Sequence, residues 1–181
     1  ELGYEIAVEI FKYPNDFANY LDVGMPDIAC FSSFAWNIRI GHEYARKIKE
    51  VSPNTITVFG GPHFPDSAED QEIFLRHFPH IDCYFEFEGE LSFVAFYKAL
   101  KEINFDWKRF CGEKRQVQNI RYMSNGEFVA APLAPKITDP NIVPSPHLNG
   151  ISDKLYDGML IPMIQSTRGC PYMCTFCWEG G

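Results

Sequence analysis

The sequence has no surplus of positive charge. Its 181 residues include 16 Lys and Arg against 24 Asp and Glu, which gives a formal net charge of −8 at pH 7. Binding to nucleic acid requires Lys and Arg in excess on at least one face, so we predict no nucleic-acid partner. The sequence also has no secretory leader and no apolar run long enough to cross a bilayer. We therefore predict no membrane association and a cytoplasmic location.

Further absences narrow the class of protein. Six cysteines occur without an export signal, which does not indicate a disulfide framework. The GxGxxG pattern of dinucleotide sites is missing, and no acidic cluster follows a strand as in a response regulator. What is present is the composition of a folded protein, with 46% hydrophobic residues and 16 Phe. The chain starts without Met and stops directly after a cysteine motif, so we expect a fragment of a longer protein.

Strands and helices alternate along the first part of the chain. An alternation of apolar and polar residues, as at Tyr4–Ile10, or a continuous apolar run, as at Asp27–Phe31, predicts a strand, and an apolar period of 3.6 residues predicts a helix. The predicted strands are Tyr4–Ile10, Asp27–Phe31, Thr55–Phe59 and Asp82–Phe87, and the predicted helices are Pro14–Leu21, Ile38–Val51, Asp66–Phe78 and Gly89–Ile103. In the helix Ile38–Val51, the residues expected on the buried face are Ile40, Tyr44, Ile48 and Val51. This alternation predicts an α/β fold with a parallel sheet.

The pattern changes after Asn104. Segments 119–123 and 127–131 flank Asn125-Gly126, which is a strong signal for a two-residue β-hairpin. A proline-rich linker follows, and 162–167 is predicted as a short strand. The predicted division is an α/β domain at 1–104, a hairpin and linker at 105–150, and the start of a further domain at 151–181.

Three cysteines are crowded near the end of the sequence, at Cys170, Cys174 and Cys177. Their thiolates are close enough in sequence to hold one compact metal centre. A cubic [4Fe–4S] cluster normally takes four thiolates, so three would leave one iron open to an external ligand. A zinc site completed by a distant His or Cys is the alternative. Cys30 and Cys83 lie in apolar strands, where we expect inert core residues.

Small residues follow three of the predicted strands. These segments are Ser32-Ser33, Gly60-Gly61-Pro62-His63 and Glu88-Gly89-Glu90. In an open parallel sheet, ligands bind beyond the carboxyl ends of the strands, so the three segments together predict a bulky ligand close to the backbone. Taken singly they have plainer explanations, namely a turn at Gly60-Gly61 and helix caps at Ser32 or Ser33.

The cysteine motif follows Thr167-Arg168-Gly169 and carries Phe176 before its last cysteine. In this form it resembles the cluster loop of radical S-adenosylmethionine (SAM) enzymes. The resemblance implies that Cys170, Cys174 and Cys177 hold a [4Fe–4S] cluster whose open iron binds SAM. It also implies that an electron from the cluster cleaves SAM to a 5′-deoxyadenosyl radical, and that Phe176 lies beside the adenine.

The sequence from Pro26 to Asn37, with the two glycine segments that follow, resembles the cobalamin-binding domain that precedes many radical SAM domains. The resemblance implies a flavodoxin-like domain that buries the nucleotide tail of cobalamin among the strand ends. By the family's order the domain lacks its first strand, and the hairpin and linker lead to the first strand of a (β/α) barrel. The implied cobalamin contacts are Ser32, Ser33, Trp36, Asn37, Gly60, Gly61, Pro62, Gly89 and Glu90, with Gly60 and Gly61 making room for the tail.

The resemblance implies a cobalamin-dependent radical SAM enzyme, with methyl transfer as the leading chemistry and ring formation as a variant. Two alternatives stay open: an α/β domain that docks a partner without cobalamin, and a zinc-binding module. The cobalt-ligating DxHxxG pattern is absent, so no lower cobalt ligand is assigned. The expected partners are a small-molecule or peptide substrate and an electron donor such as flavodoxin or ferredoxin. We expect residues 1–181 alone to be inactive.

Overall fold

The computed structural model describes residues 6–159 together with residues 164, 172, 174 and 175. The chain divides into two compact units, Glu1–Ala134 and Pro135–Gly181. In the described residues, all α-helices and β-strands belong to the first unit, and the second contains the 3-10 turns Pro140–Ile142 and Asp153–Leu155. The elements are α1 (Pro14–Val23), β1 (Ile28–Ser32), α2 (Ile38–Val51), β2 (Ile56–Gly60), α3 (Ala68–His77), β3 (Cys83–Phe85), α4 (Glu90–Lys101), α5 (Trp107–Gly112), β4 (Ile120–Ser124) and β5 (Glu127–Ala130).

The strands form one sheet in the order β1-β2-β3-β4-β5. Strands β1 to β3 are parallel, whereas β4 and β5 are an antiparallel hairpin that extends the sheet from β3. Asn125 and Gly126 have φ values of 49° and 82°, as a tight two-residue hairpin turn requires. The predicted α/β, flavodoxin-like fold and the hairpin are confirmed. The hairpin is part of the sheet and not merely a connection.

The core lies on both faces of the sheet. On one face, Val58 of β2 packs in a cluster with Phe96 of α4 and Phe110 of α5. On the other, Phe59 packs with Leu75 of α3 and with α2. Consecutive strand residues point to opposite faces, so β2, whose β-branched sequence predicts a strand, is buried on both sides. This packing holds the carboxyl ends of the parallel strands along one edge.

The predicted strand Tyr4–Ile10 is wrong over residues 6–10, which have no regular secondary structure. Tyr4 and Glu5 lie outside the described residues. Among the residues that are described, β1 pairs with β2 and has no strand on its other side. An alternating sequence forms a strand only where a neighbouring edge takes up its N–H and C=O groups. Val8 is 66% exposed, so the segment also buries little apolar surface.

The predicted buried face of α2 is also wrong in part. The buried residues are Gly41, Ala45 and Ile48, whereas Ile40 and Val51 are exposed. A Cβ atom on Gly41 would lie 3.3 Å from Cε1 of Phe59. The small residues face the sheet because they allow the helix backbone to approach it closely, and this rotates the larger apolar residues outward.

The two strand cysteines have different environments. Cys83 is fully buried, as predicted, whereas Cys30 is exposed and is not a core residue, although the surrounding protein raises the pKa of its thiol to about 12. Cys30 pairs with Val58 across β1 and β2, yet the apolar cluster under α4 and α5 includes Val58 and not Cys30. Cys30 lies on the edge strand, beyond the surface that these helices cover. The predicted strand 162–167 falls outside the described residues except for Ile164.

A histidine pair joins α2 to the loop before β3. Nδ1 of His42 lies 2.6 Å from Nε2 of His80, and the His42 ring packs 4.2 Å from that of Phe78. Burial, followed by the proximity of His80, lowers the pKa of His42 to about 4. Burial also lowers the pKa of His80. Both imidazoles are therefore neutral in the folded protein near pH 7.

We expect this pair to make the fold sensitive to mild acid. In the unfolded chain both histidines titrate near pH 6.5, so the unfolded state binds more protons between about pH 6.5 and 4. Stability from the neutral pair is thus fully present above pH 6.5 and is lost as pH falls towards 4. Between pH 7 and 5 the melting temperature should fall by about 3–5 °C more in the native protein than in His42→Gln. His77→Gln, on the exposed end of α3, is the matched control, and equal pH slopes for native and His42→Gln would contradict the assignment.

Candidate functional site

The carboxyl ends of β1, β2 and β3 lie side by side. Ser32 pairs with Gly60 and Gly60 with Phe85, so the three residues form one row across the parallel strands. The residues predicted to contact a ligand lie at these three strand ends and in the loops that follow them. The structure thus brings together at one edge the residues that the sequence places far apart.

Ser33 links the first two of these loops. It is fully buried; its N–H donates to the carbonyl of Gly60 (2.7 Å), and its own carbonyl accepts from the N–H of His63 (3.1 Å). Its hydroxyl donates to the carbonyl of His63 at 3.4 Å. Because the Ser33 side chain has no exposed surface, it can influence a ligand only indirectly, by holding the two loops in position. Ser33 is thus a structural residue of this edge.

Gly61 is required by the fold itself. It has φ of +126°, and a Cβ atom there would lie 2.7 Å from the carbonyl oxygen of Ser33. The hydroxyl of Tyr84 donates to the carbonyl of Gly61 at 2.7 Å, and burial raises the pKa of Tyr84 to about 12, so this donor keeps its proton at neutral pH. Glycine is necessary at this position whether or not a ligand approaches.

Gly60 and Gly89 have a different environment. A Cβ atom on Gly60 would come no closer than 3.6 Å to a neighbour, the carbonyl oxygen of Phe85, and one on Gly89 no closer than 3.9 Å, to Cβ of Phe85. Neither glycine is therefore demanded by a close contact. Both present bare backbone above Phe85, beside the exposed Ser32. Ser32, Gly60 and Gly89, which we call the open row, have a small side chain or none, and this suits a bulky ligand that lies against the backbone.

Asn37 orders the loop after β1. Its side-chain amide donates to Oγ of Ser32 at 2.7 Å, and its Oδ1 accepts from the N–H of Phe34 at 2.8 Å. The Ser32 oxygen is thereby used as an acceptor, which leaves its hydroxyl proton available to an external group. Trp36 is 75% exposed and stacks on Phe34 with the ring centroids 4.7 Å apart. Trp36 is thus an exposed aromatic surface and not a core residue.

The third loop leads into α4. Gly89 is the N-cap, and its carbonyl accepts from the N–H of Phe93 at 2.7 Å. Glu90 opens the helix, where the helix dipole favours a carboxylate. The sequence analysis missed a nearly buried ion pair beside this loop, in which Nη2 of Arg121 lies 2.6 Å from Oε2 of Glu86. An arginine inside an apolar strand was the available signal. This pair ties the loop to β4.

The cysteine loop is only partly described. Cys174 is half-buried with a free thiol, whereas Cys170, Cys177 and Phe176 lie outside the described residues. Within the described residues, no three or more His, Cys, Asp or Glu side chains are placed to hold a metal ion. In the same part of the chain, every helix is too short or too polar to cross a membrane. The assignment of Cys170, Cys174 and Cys177 as cluster ligands therefore stays a prediction from the cysteine motif.

No protein-family model matches the chain, but individual proteins do. It is 30% identical to a 2-(S-pantetheinyl)-carbapenam-3-carboxylate methyltransferase of Streptantibioticus cattleyicolor, with 97% of this chain and 25% of the relative covered. It is 31% identical to the cobalamin-dependent radical SAM methyltransferase TokK of Streptomyces tokunonensis (84% and 22%). It is 30% identical to an anaerobic magnesium-protoporphyrin IX monomethyl ester cyclase of Cereibacter sphaeroides (84% and 24%). The chain spans about a quarter of the length of these curated relatives. Fold, motif and similarity together support placing the chain in the family of radical SAM enzymes that carry a cobalamin-binding domain.

Proposed function

We propose that the full-length protein is a cobalamin-dependent radical SAM methyltransferase, and that this chain supplies its cobalamin-binding domain and its cluster loop. The observation that carries the proposal is the open row at the carboxyl edge of a flavodoxin-like sheet, in a chain that ends with three closely spaced cysteines. The similarity to two methyltransferases supports the choice of reaction.

The residues at the edge divide into two groups by role. Those that would hold the cofactor directly are the exposed side chains of Ser32, Trp36 and Pro62, the backbone of Gly60 and Gly89, and the half-buried Glu90 at the start of α4. Ser33, Asn37 and Gly61 hold the loops behind them through the contacts described above. The free proton of Ser32 suits a phosphate or amide oxygen of the nucleotide tail. When bound, cobalamin supplies a carrier for the transferred methyl group.

The cysteine loop would provide the second half of the chemistry. Thiolates of Cys170, Cys174 and Cys177 would hold a [4Fe–4S] cluster, which supplies the electron for SAM cleavage. Phe176 would pack beside the adenine of SAM. The proposed partners are a small-molecule or peptide substrate and a flavodoxin or ferredoxin as electron donor.

The experiment uses the full-length protein, purified and reconstituted without oxygen. We expect it to retain cobalamin and about four irons per chain, to form 5′-deoxyadenosine from SAM, and to pass the methyl group of labelled SAM to a product. A protein that holds the cluster but no cobalamin would overturn the cofactor assignment and favour a docking role for the α/β domain. Zinc in place of iron would overturn the cluster.

Ring formation is the second candidate reaction, because the chain has the same 30% identity to the cyclase, over a shorter match, as to the carbapenam methyltransferase. The two reactions differ in the fate of the SAM methyl group. Label from methyl-labelled SAM should enter the product of a methyltransferase. A cyclase would give 5′-deoxyadenosine and a ring-closed product without label.

A further inference from the structure

Phe87 combines two unfavourable features in the loop between β3 and α4. Its backbone is left-handed, with φ of 59°, a conformation that bulky L residues rarely adopt. Its side chain is 53% exposed, although burial would be favourable for a large aromatic group. A residue with both an unfavourable backbone conformation and an exposed aromatic side chain is held in place by its surroundings. Such outliers concentrate at ligand-binding sites.

Asn119 provides the restraint on both sides of Phe87. Its carbonyl accepts from the N–H of Glu86 at 2.9 Å, and its side-chain amide donates to the carbonyl of Glu88 at 2.8 Å. The residues before and after Phe87 are therefore attached to the same asparagine. Because Phe87 lies between these two attachments, they restrain its left-handed backbone.

Asn119 is itself firmly held. It is 2% exposed, its Oδ1 accepts from the N–H of Ala134 at 2.6 Å, and its N–H donates to the carbonyl of Pro132 at 3.0 Å. It has φ of 67°, which asparagine tolerates better than most residues. The asparagine thus joins the β3–α4 loop to the start of β4 and to the segment after β5. The hairpin acts as the support of the loop.

We propose that Phe87 contacts the aromatic base of the cobalamin nucleotide tail, and that Asn119 is a positioning residue that holds Phe87 at the edge. This inference rests on the proposed function. Phe87 is two residues before Gly89, so it belongs to the same edge as the open row. A flat aromatic base stacks well on an exposed aromatic ring. The open row gives the cofactor backbone groups and the Ser32 hydroxyl as contacts. Phe87 adds an apolar surface, as Trp36 does in the loop after β1.

The test measures hydroxocobalamin affinity of the full-length protein by absorbance titration, together with its melting temperature. Phe87→Ala should weaken binding by about 5- to 50-fold, the range seen when a stacking aromatic is truncated, and Phe87→Tyr should stay within about twofold of native. Phe87→Gly is the sharpest variant. It relieves the left-handed backbone, so the melting temperature should not fall, while affinity should fall as in Phe87→Ala. Tyr20→Ala, on α1, is the control for loss of an aromatic ring elsewhere and should bind normally.

The role of Asn119 is tested through Phe87. Asn119→Asp keeps the acceptor for Ala134 and removes the donor to Glu88, and it should weaken binding about three- to tenfold. In a Phe87→Gly background the same change should have little further effect, because a positioning residue acts only through the ring it positions. Full additivity of the two changes would show that Asn119 does not act through Phe87.

The inference and the proposed function fail in different ways. If the native full-length protein does not bind cobalamin, the proposed function is wrong. If the native protein binds and folded Phe87→Ala and Phe87→Gly bind equally well, the cofactor assignment stands and the contact assigned to Phe87 is wrong.

Discussion

Alanine at Cys170, Cys174 or Cys177 is expected to abolish cluster assembly and SAM cleavage in the full-length protein. Three thiolates leave one iron of a [4Fe–4S] cluster open to SAM, and removal of a second thiolate leaves another iron without a protein ligand. Iron content and the visible absorption of the reconstituted protein measure the first effect. The yield of 5′-deoxyadenosine, expected to fall to background, measures the second.

Cys30→Ala is the matched control for these variants. Cys30 is an exposed thiol on the edge strand, so its removal should leave both the fold and the cluster intact. Cys83 is a poor control, because it is completely buried and truncation there would leave a cavity in the core. Normal iron content in Cys174→Ala, or loss of the cluster in a folded Cys30→Ala protein, would contradict the ligand assignment.

The strands at the centre of the sheet could be predicted because they are buried on both faces. β2 is buried from Ile56 to Phe59, and its β-branched residues Ile56, Thr57 and Val58 are typical of a strand. The Asn125-Gly126 turn is local in the same sense, since its backbone angles depend on those two residues. Features of this kind need no knowledge of distant parts of the chain.

The remaining errors come from contacts between distant segments. The face of α2 depends on how closely Gly41 approaches Phe59, and the sequence pattern around the helix does not contain that distance. In the same way, the support of the β3–α4 loop comes from Asn119, which donates to the carbonyl of Glu88 31 positions earlier. Composition and hydrophobic periodicity describe residues that are close in sequence. The contacts of Gly41 and Asn119 depend instead on how segments far apart in sequence pack together.

The glycine segment after β2 shows how one motif can carry two separate requirements. The resemblance to cobalamin-binding domains implies that Gly60 and Gly61 both make room for a cofactor. In the structure Gly61 has φ of +126° and approaches the Ser33 carbonyl, and the nearest neighbour of a Cβ atom on Gly60 would be at an ordinary distance of 3.6 Å. The two residues can therefore be separated by substitution, one affecting the fold and the other the site.

Gly61→Ala is expected to destabilise the protein by roughly 2–4 kcal/mol, because the new Cβ meets backbone at a left-handed position. Its melting temperature should fall by about 5–15 °C, with or without cobalamin. Gly60→Ala should change stability by no more than about 1 kcal/mol, since the strand backbone accepts a side chain there. Thermal unfolding of both variants in the absence of cofactor measures this difference.

Gly60→Val then tests the open row directly. Valine suits a strand, so the variant should fold, but its methyl groups would project beside Phe85 at a position where the native residue has no side chain. Overfilling a close-packed contact costs about 1–3 kcal/mol, which corresponds to a loss of roughly 5- to 150-fold in hydroxocobalamin affinity. The cysteine cluster, held by another part of the chain, should keep its iron. If a folded Gly60→Val protein bound hydroxocobalamin with native affinity, the tail of cobalamin would not lie over this row. The tail would then lie elsewhere, although ligands of open parallel sheets bind at the carboxyl ends of the strands.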